Sequence, residues 1–210
     1  MLTFFSLIAL TSAAVIPANI TAIDADATFS APASTAISPS LPSNGQYQFP
    51  HLIIPVDRND SENAPGTQYT AEISTTKTTI FQFDIPCTPE YTGKVCDLVF
   101  MFPYKDDIKA VEKYEWSGLE AQEYSHGGIS FALLSEEVNQ ATTYANMPKA
   151  TVVFPLQQLK PGSSNYFGSG PCDSSHRLAI SATGVGIFYL KMFQSQEVGA
   201  PQGLFLIPRH

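Results

Sequence analysis

The stretch Thr79–Ile85 reads Thr-Ile-Phe-Gln-Phe-Asp-Ile and decides the fold class. Its apolar side chains Phe81, Phe83 and Ile85 alternate with polar ones, which is the two-residue period of a β-strand that buries one face. Leu178–Ala182 alternates in the same way. We therefore expect two strands, each of which keeps its other face in solvent.

Other segments show no alternation. Two segments, Leu98–Phe102 and Ile187–Leu190, are apolar at both odd and even positions. This pattern predicts central strands that are covered on both faces. Further short apolar segments lie within residues 48–56, 69–74, 113–116, 129–134, 151–154 and 203–207. About ten short strands without a long amphipathic helix predict an all-β, antiparallel β-sandwich. Lys105–Lys113 and Ser135–Gln140 are each expected to form at most a single helical turn at a loop position.

The composition sets the size and the charge of the molecule. The chain has 210 residues, of which 44% are hydrophobic and 14% charged, and its formal net charge is -8. This length predicts one domain of ordinary size together with some targeting or linker sequence. A chain with this charge repels polyanions, so nucleic acid is excluded as a partner.

The first residues predict export. Met1–Ala14 places an apolar run before the small residues Thr11, Ser12, Ala13 and Ala14, which is the pattern of a secretory signal peptide. The alternative is a buried N-terminal strand or helix. The run is shorter than the roughly 20 apolar residues that span a membrane, and the C-terminal apolar segment is too short to be replaced by a lipid anchor. We expect a secreted product without a membrane anchor.

Residues 15–44 are rich in Ala, Ser, Thr and Pro, and we interpret them as a flexible linker or a removable pro-segment. The globular domain is expected over residues 45–210. Two sequons, at Asn19 and Asn59, predict N-glycosylation of an exported chain. Asn59 is the better candidate, because the polar stretch Asp57–Asn63 is expected in a surface turn.

Three cysteines, Cys87, Cys96 and Cys172, predict one disulfide and one odd thiol in an exported chain. Three pairings are open. Strand parity does not decide among them, because Cys96 shares a face with Leu98 while Cys87 shares one with Phe83.

The sequence contains no recognised catalytic or metal-binding pattern. Four histidines are present, at positions 51, 126, 176 and 210, but no Gly-x-Ser-x-Gly elbow and no papain-like cysteine accompany them. Paired histidines and Cys-x-x-Cys are also absent. We therefore expect a protein that is not an enzyme, with no catalytic residue, no cofactor and no metal.

An aromatic cluster invites a different hypothesis. Tyr114 and Trp116 share a strand face, and Tyr104 and Tyr124 lie nearby in the sequence. Together they could form a stacking platform for sugar rings. A lone tryptophan in a sandwich is more often a core residue, so we expect Tyr114 and Trp116 to pack inside.

Five segments share their order and spacing with a known family. They are YQFPHLIIPVD from Tyr47, TTIFQFDIP from Thr78, GKVCDLVFMFP from Gly93, TTYANMP from Thr142 and PQGLFLI from Pro201. Over Tyr47–Ile207 the chain resembles the fungal family called ubiquitin-3-binding protein But, C-terminal domain. The block Gly93–Pro103 is the most specific part, because family members carry Gly-Lys-x-Cys-x-Leu-Val-Phe-Leu-Phe-Pro there.

The resemblance implies an all-β domain, commonly found at the C-terminal end of exported fungal proteins, with no established enzymatic activity. It also favours a Cys96–Cys172 disulfide, because both cysteines fall in shared segments while Cys87 is additional here.

We therefore expect a secreted, non-enzymatic domain that binds a wall glycan or an extracellular protein at or outside the fungal cell surface. The alternative, which follows the family name, is an intracellular adaptor for an enzyme that activates a ubiquitin-like modifier. A hydrolase with an unrecognised site is a third hypothesis.

Overall fold

A computed structural model describes residues 40–117, 127–173 and 177–209. The predicted signal peptide Met1–Ala14, the sequon at Asn19 and most of the predicted linker lie outside the described residues. None of the helical turns in the described ranges has the length and hydropathy of a membrane-spanning helix.

The described residues form eleven strands, close to the number expected. They are β1 (Leu52–Asp57), β2 (Thr70–Ile73), β3 (Lys77–Phe83), β4 (Val95–Phe102), β5 (Glu115–Ser117), β6 (Gly128–Leu134), β7 (Ala150–Val153), β8 (Ser163–Pro171), β9 (Leu178–Val185), β10 (Tyr189–Phe193) and β11 (Gly203–Pro208). Three short 3-10 turns occupy Arg58–Asp60, Lys105–Asp107 and Ala110–Glu112.

The strands form three antiparallel sheets. One sheet has five strands in the order β1-β3-β9-β6-β7, and two smaller sheets have the orders β2-β10-β5 and β11-β4-β8. One apolar cluster joins the inner faces of all three. In it, Phe131 of the large sheet contacts Phe100 and Phe167 of a smaller one, with ring centroids 5.9 and 4.2 Å apart. The predicted all-β sandwich is confirmed.

The expectation that β3 and β9 each have a solvent-exposed face is wrong. Gln82 in β3 is fully buried, and Ser181 in β9 is 6% exposed. The reason is the segment 135–149, which folds back over the outer face of the large sheet. Its side chains Val138, Tyr144 and Met147 form a second apolar cluster with residues of β1, β3, β6 and β9.

This segment, which we call the covering loop, forms no helical turn, contrary to the expectation for Ser135–Gln140. Asn139 Oδ1 accepts the backbone N–H of Ala141 at 2.8 Å, and Thr142 Oγ1 accepts that of Asn139 at 3.1 Å. Such local bonds compete with helix formation. The Ser135 N–H donates to the Lys149 carbonyl at 2.8 Å and closes the base of the loop.

The prediction of two covered faces for the continuous apolar segments is also wrong in part. In β4, Leu98 and Phe100 are fully buried while Val99 is only half-buried. Ile187 is 61% exposed in the turn before β10. Both strands lie at the centre of small sheets whose outer sides are only partly covered, since Met101, on the same side of β4 as Val99, is 2% exposed. Apolar residues at both odd and even positions therefore did not require two fully buried faces.

A side chain joins the two small sheets where the chain passes from β10 to β11. The Gln194 amide accepts the Leu204 N–H at 3.0 Å and donates to the Leu204 carbonyl at 3.2 Å, as a neighbouring strand would. Gly203 has φ +115°, and a Cβ at this position would overlap that amide. The close approach of Gln194 therefore requires glycine.

Replacing Gly203→Ala should lower the free energy of unfolding by about 2–4 kcal/mol, through backbone strain and loss of the Gln194 bonds. Gly199→Ala is the matched control, because Gly199 also has positive φ (+92°) but a Cβ there meets no atom within 4 Å. It should lose only about 1–2 kcal/mol. Urea denaturation of both variants measures the difference, and equal losses would contradict the role given to Gln194.

Candidate functional site

The structure contains a disulfide between Cys96 and Cys172, with Cα atoms 5.1 Å apart. Cys96 lies in β4 and Cys172 directly follows β8, the strand paired with it. Both are buried, at 1% and 4% exposure. This is the pairing that the resemblance implied. Cys87 is a free, exposed thiol.

Removing the bridge with the double variant Cys96→Ala/Cys172→Ala should destabilise the fold by about 4.5 kcal/mol, since it closes a loop of 76 residues. Cys87→Ser, at an exposed position, should leave the unfolding midpoint within error. Non-reducing peptide mapping should find the Cys96 and Cys172 peptides linked. A linked Cys87 peptide would refute the pairing.

Asn59 lies in the exposed 3-10 turn Arg58–Asp60 that follows β1. Its backbone N–H donates to Asp57 Oδ1 at 2.8 Å, so the turn is capped while the asparagine side chain faces solvent. The sequon therefore lies on a surface that a glycosyl group can reach. Asn19 lies outside the described residues.

We expect Asn59→Gln and Ser61→Ala each to remove one glycan from the secreted product, seen as a loss of mass. Asn63→Gln is the matched control, because Asn63 is exposed in the same stretch but lies in no sequon. It should leave the mass of the glycan unchanged. An unglycosylated secreted wild type would exclude the site.

Among the histidines considered above, only His51 is described. Its Nδ1 lies 3.3 Å from Asp84 Oδ2, and Asp84 Oδ1 accepts Arg177 Nε–H at 2.8 Å. The histidine thus lies beside the surface ion pair of Asp84 and Arg177. In the ranges 40–117, 127–173 and 177–209, no group of three or more His, Cys, Asp and Glu side chains is placed to hold a metal ion.

The aromatic platform considered above is not formed by the described residues. The rings of Tyr114 and Trp116 lie 4.5 and 5.7 Å from that of Phe102, and both pack on the main core, as expected. Tyr104 is 61% exposed and lies over Gly162, where a Cβ would overlap its ring. Tyr124 lies outside the described residues.

A different aromatic surface lies on the outer face of the sheet β2-β10-β5. Leu190 and Met192 of β10 point into the core, so the alternating positions Tyr189, Lys191 and Phe193 point outward. These three side chains are half-buried or exposed. They form a row along the central strand of the sheet.

The middle of this row places opposite charges on neighbouring strands. Lys191 lies opposite Glu72 of β2 and opposite Glu115 of β5 in the strand register. Opposite charges at such cross-strand positions attract each other. Glu72 also contacts Lys77, with Nζ and Oε2 3.2 Å apart. The charges on this face are therefore largely compensated within the sheet.

Aromatic rings occupy both ends of the row. Tyr69, next to β2, stacks on Phe193 with centroids 6.2 Å apart and an interplanar angle of 21°, yet it is 81% exposed. At the other end, burial raises the pKa of Tyr189, and Glu72 and Glu115 raise it further. The Tyr189 phenol therefore stays protonated at neutral pH and can donate a hydrogen bond. We call this surface the aromatic face; it comprises Tyr69, Glu72, Glu115, Tyr189, Lys191 and Phe193.

The sequence reasoning missed the aromatic face. The alternation Tyr189-Leu190-Lys191-Met192-Phe193 was visible, but the preceding Ile187 and Phe188 made the segment look apolar throughout. No local pattern marks Tyr69 as a partner of Phe193, because the two are far apart in the sequence and meet through the pairing of β2 with β10.

A family model described as Ubiquitin 3 binding protein But2 C-terminal domain matches residues 48–197, more than half of the chain. The chain belongs to this family. No curated protein matches it. The segment PQGLFLI from Pro201 lies beyond the matched residues.

The segments that pointed to the But2 family mainly hold the fold together. Gln48 pairs with Leu206 of β11 and donates to the Tyr91 hydroxyl at 3.0 Å. Gln82 accepts the Val138 N–H of the covering loop. Cys96 forms the disulfide. The aromatic face also lies inside the matched range 48–197. It contains none of these scaffold residues, so it is a separate part of the But2 domain.

Proposed function

We propose that this But2 domain is an exported, non-enzymatic binding protein that acts at or outside the fungal cell surface, on a wall glycan or an extracellular protein. The observation that carries the proposal is the buried Cys96–Cys172 disulfide. Disulfides form and persist in oxidising compartments and are rare in the cytosol. The bridge agrees with the signal-peptide pattern of Met1–Ala14.

Two features support binding as the activity. The family description names a binding protein, and the aromatic face presents an exposed ring, that of Tyr69, beside the half-buried Phe193. Aromatic side chains are enriched at interaction sites relative to the rest of a protein surface. The segments shared with the family, by contrast, supply strand contacts, the covering loop and the disulfide.

The second candidate is an intracellular adaptor for an enzyme that activates a ubiquitin-like modifier. The family description favours it, since it names a ubiquitin 3 binding protein. In a reducing cytosol, however, the domain would lose the cross-link between β4 and β8. The two candidates therefore differ in the compartment and in the oxidation state of the same molecule.

Mass spectrometry of the native chain, recovered from the medium and from cell lysate, separates them. We expect the medium to contain a product without Met1–Ala14 and with a single free thiol, that of Cys87. A chain that lacks residues 2–14 is the matched control and should stay in the cells. Intact Met1 on a reduced, cytosolic molecule would contradict export and favour the adaptor.

A further inference from the structure

The exposed ring of Tyr69 offers a flat apolar surface that the described residues 40–117, 127–173 and 177–209 leave uncovered. Its stacking on Phe193, at an interplanar angle of 21°, holds the ring in place before a ligand binds. Binding to such a prepositioned ring costs less conformational entropy than ordering a free side chain. A ligand that lays apolar C–H groups on the ring gains dispersion and removes both surfaces from water.

The charged side chains beside this ring favour a ligand whose polar groups are hydroxyls. Glu72 and Glu115 provide only acceptors and Lys191 only donors, while a hydroxyl group both donates and accepts. A ligand rich in hydroxyls can therefore bond to Glu72, Glu115 or Lys191, which lie opposite one another in the strand register. A charged ligand can bond favourably to only one of these two kinds of group and meets a like charge beside it.

The net charge favours a neutral ligand over an anionic one. The charges of the aromatic face are largely compensated, because Lys191 lies opposite Glu72 and Glu115 and Lys77 contacts Glu72. The face therefore offers no excess positive charge to a phosphorylated or uronic-acid polymer, and the formal net charge of -8 on the whole chain repels one. Neutral sugars combine apolar C–H faces with uncharged hydroxyls and meet both requirements.

The length of this row of side chains favours an oligosaccharide over a single sugar as the ligand. Tyr189 and Phe193 are four residues apart on one strand, so their Cα atoms are about 13 Å apart. This distance is longer than one hexose ring. An oligosaccharide lying along β10 can contact Tyr189, Lys191 and the stacked Phe193 and Tyr69 together.

We propose that the aromatic face is a binding site for a neutral polysaccharide chain, with Tyr69 as its principal stacking residue. This inference rests on the proposed function as a binding domain and specifies the ligand and the site. It does not depend on the compartment, because the binding can be measured on the purified, disulfide-bonded chain.

The test measures binding of the purified, disulfide-bonded protein to soluble neutral polysaccharides by affinity electrophoresis and calorimetry. The probes are a β-linked glucan, a mannan and oligomers of N-acetylglucosamine, with polygalacturonate as the anionic comparison. We expect at least one neutral probe to bind and polygalacturonate not to bind. Tyr69→Ala should weaken the neutral interaction by about tenfold.

Two matched variants make the result specific. Tyr69→Phe keeps the ring and should retain binding, because stacking rather than the hydroxyl carries the contact. Tyr104→Ala removes an exposed tyrosine beside Gly162, outside the aromatic face, and should bind as the wild type does. Circular dichroism and the unfolding midpoint show whether each variant is folded.

Several outcomes would contradict the proposed polysaccharide-binding site. One is that the folded, oxidised wild type binds none of the neutral probes. Another is that Tyr69→Ala and Tyr104→Ala weaken binding equally. If Tyr69→Ala instead abolishes a protein interaction while no polysaccharide binds, the face is a protein interface and the saccharide site is wrong. Export is read separately from the N-terminal residue, so failure of one proposal is distinguishable from failure of the other.

Discussion

The apolar layer between the five-stranded sheet and the two small sheets is the constraint on which the rest of the structure depends. Buried phenylalanines from both layers meet in it, and Phe131 contacts Phe100 and Phe167. Full burial of one such side chain stabilises the fold by about 1.5–3 kcal/mol. Because strand side chains alternate, filling this layer decides which residues of β10 point outward. The aromatic face is thus a consequence of core packing.

The covering loop shows how a sandwich can bury a second face. The large sheet presents Ile54, Val56 and Ile80 on its outer side, and Val138, Tyr144 and Met147 of the loop cover them. Gln82 is buried in the same region and has its Oε1 bonded to the Val138 N–H. A polar side chain inside the sheet therefore helps to place the loop, since leaving that oxygen unpaired would cost free energy.

Scaffold and surface are separated in this But2 domain. The residues by which the family is recognised form the disulfide, the strand contacts of Gln48 and the attachment of the covering loop. The exposed Tyr69 and the outward row of β10 are not needed for those contacts. A shared fold can therefore carry different ligands on the same sheet, because function depends on the chemistry of a site rather than on the fold.

The all-β class could be predicted from the residues alone, since the alternation in Thr79–Ile85 has the period of a strand whatever it packs against. The sequence also showed the sequon at Asn59 and, through the family resemblance, the Cys96–Cys172 pair. The tertiary structure was needed to show that β3 has no solvent-exposed face and that Tyr69 stacks on Phe193. Local periodicity records which side chains share a face, but what covers that face depends on contacts between residues far apart in the chain.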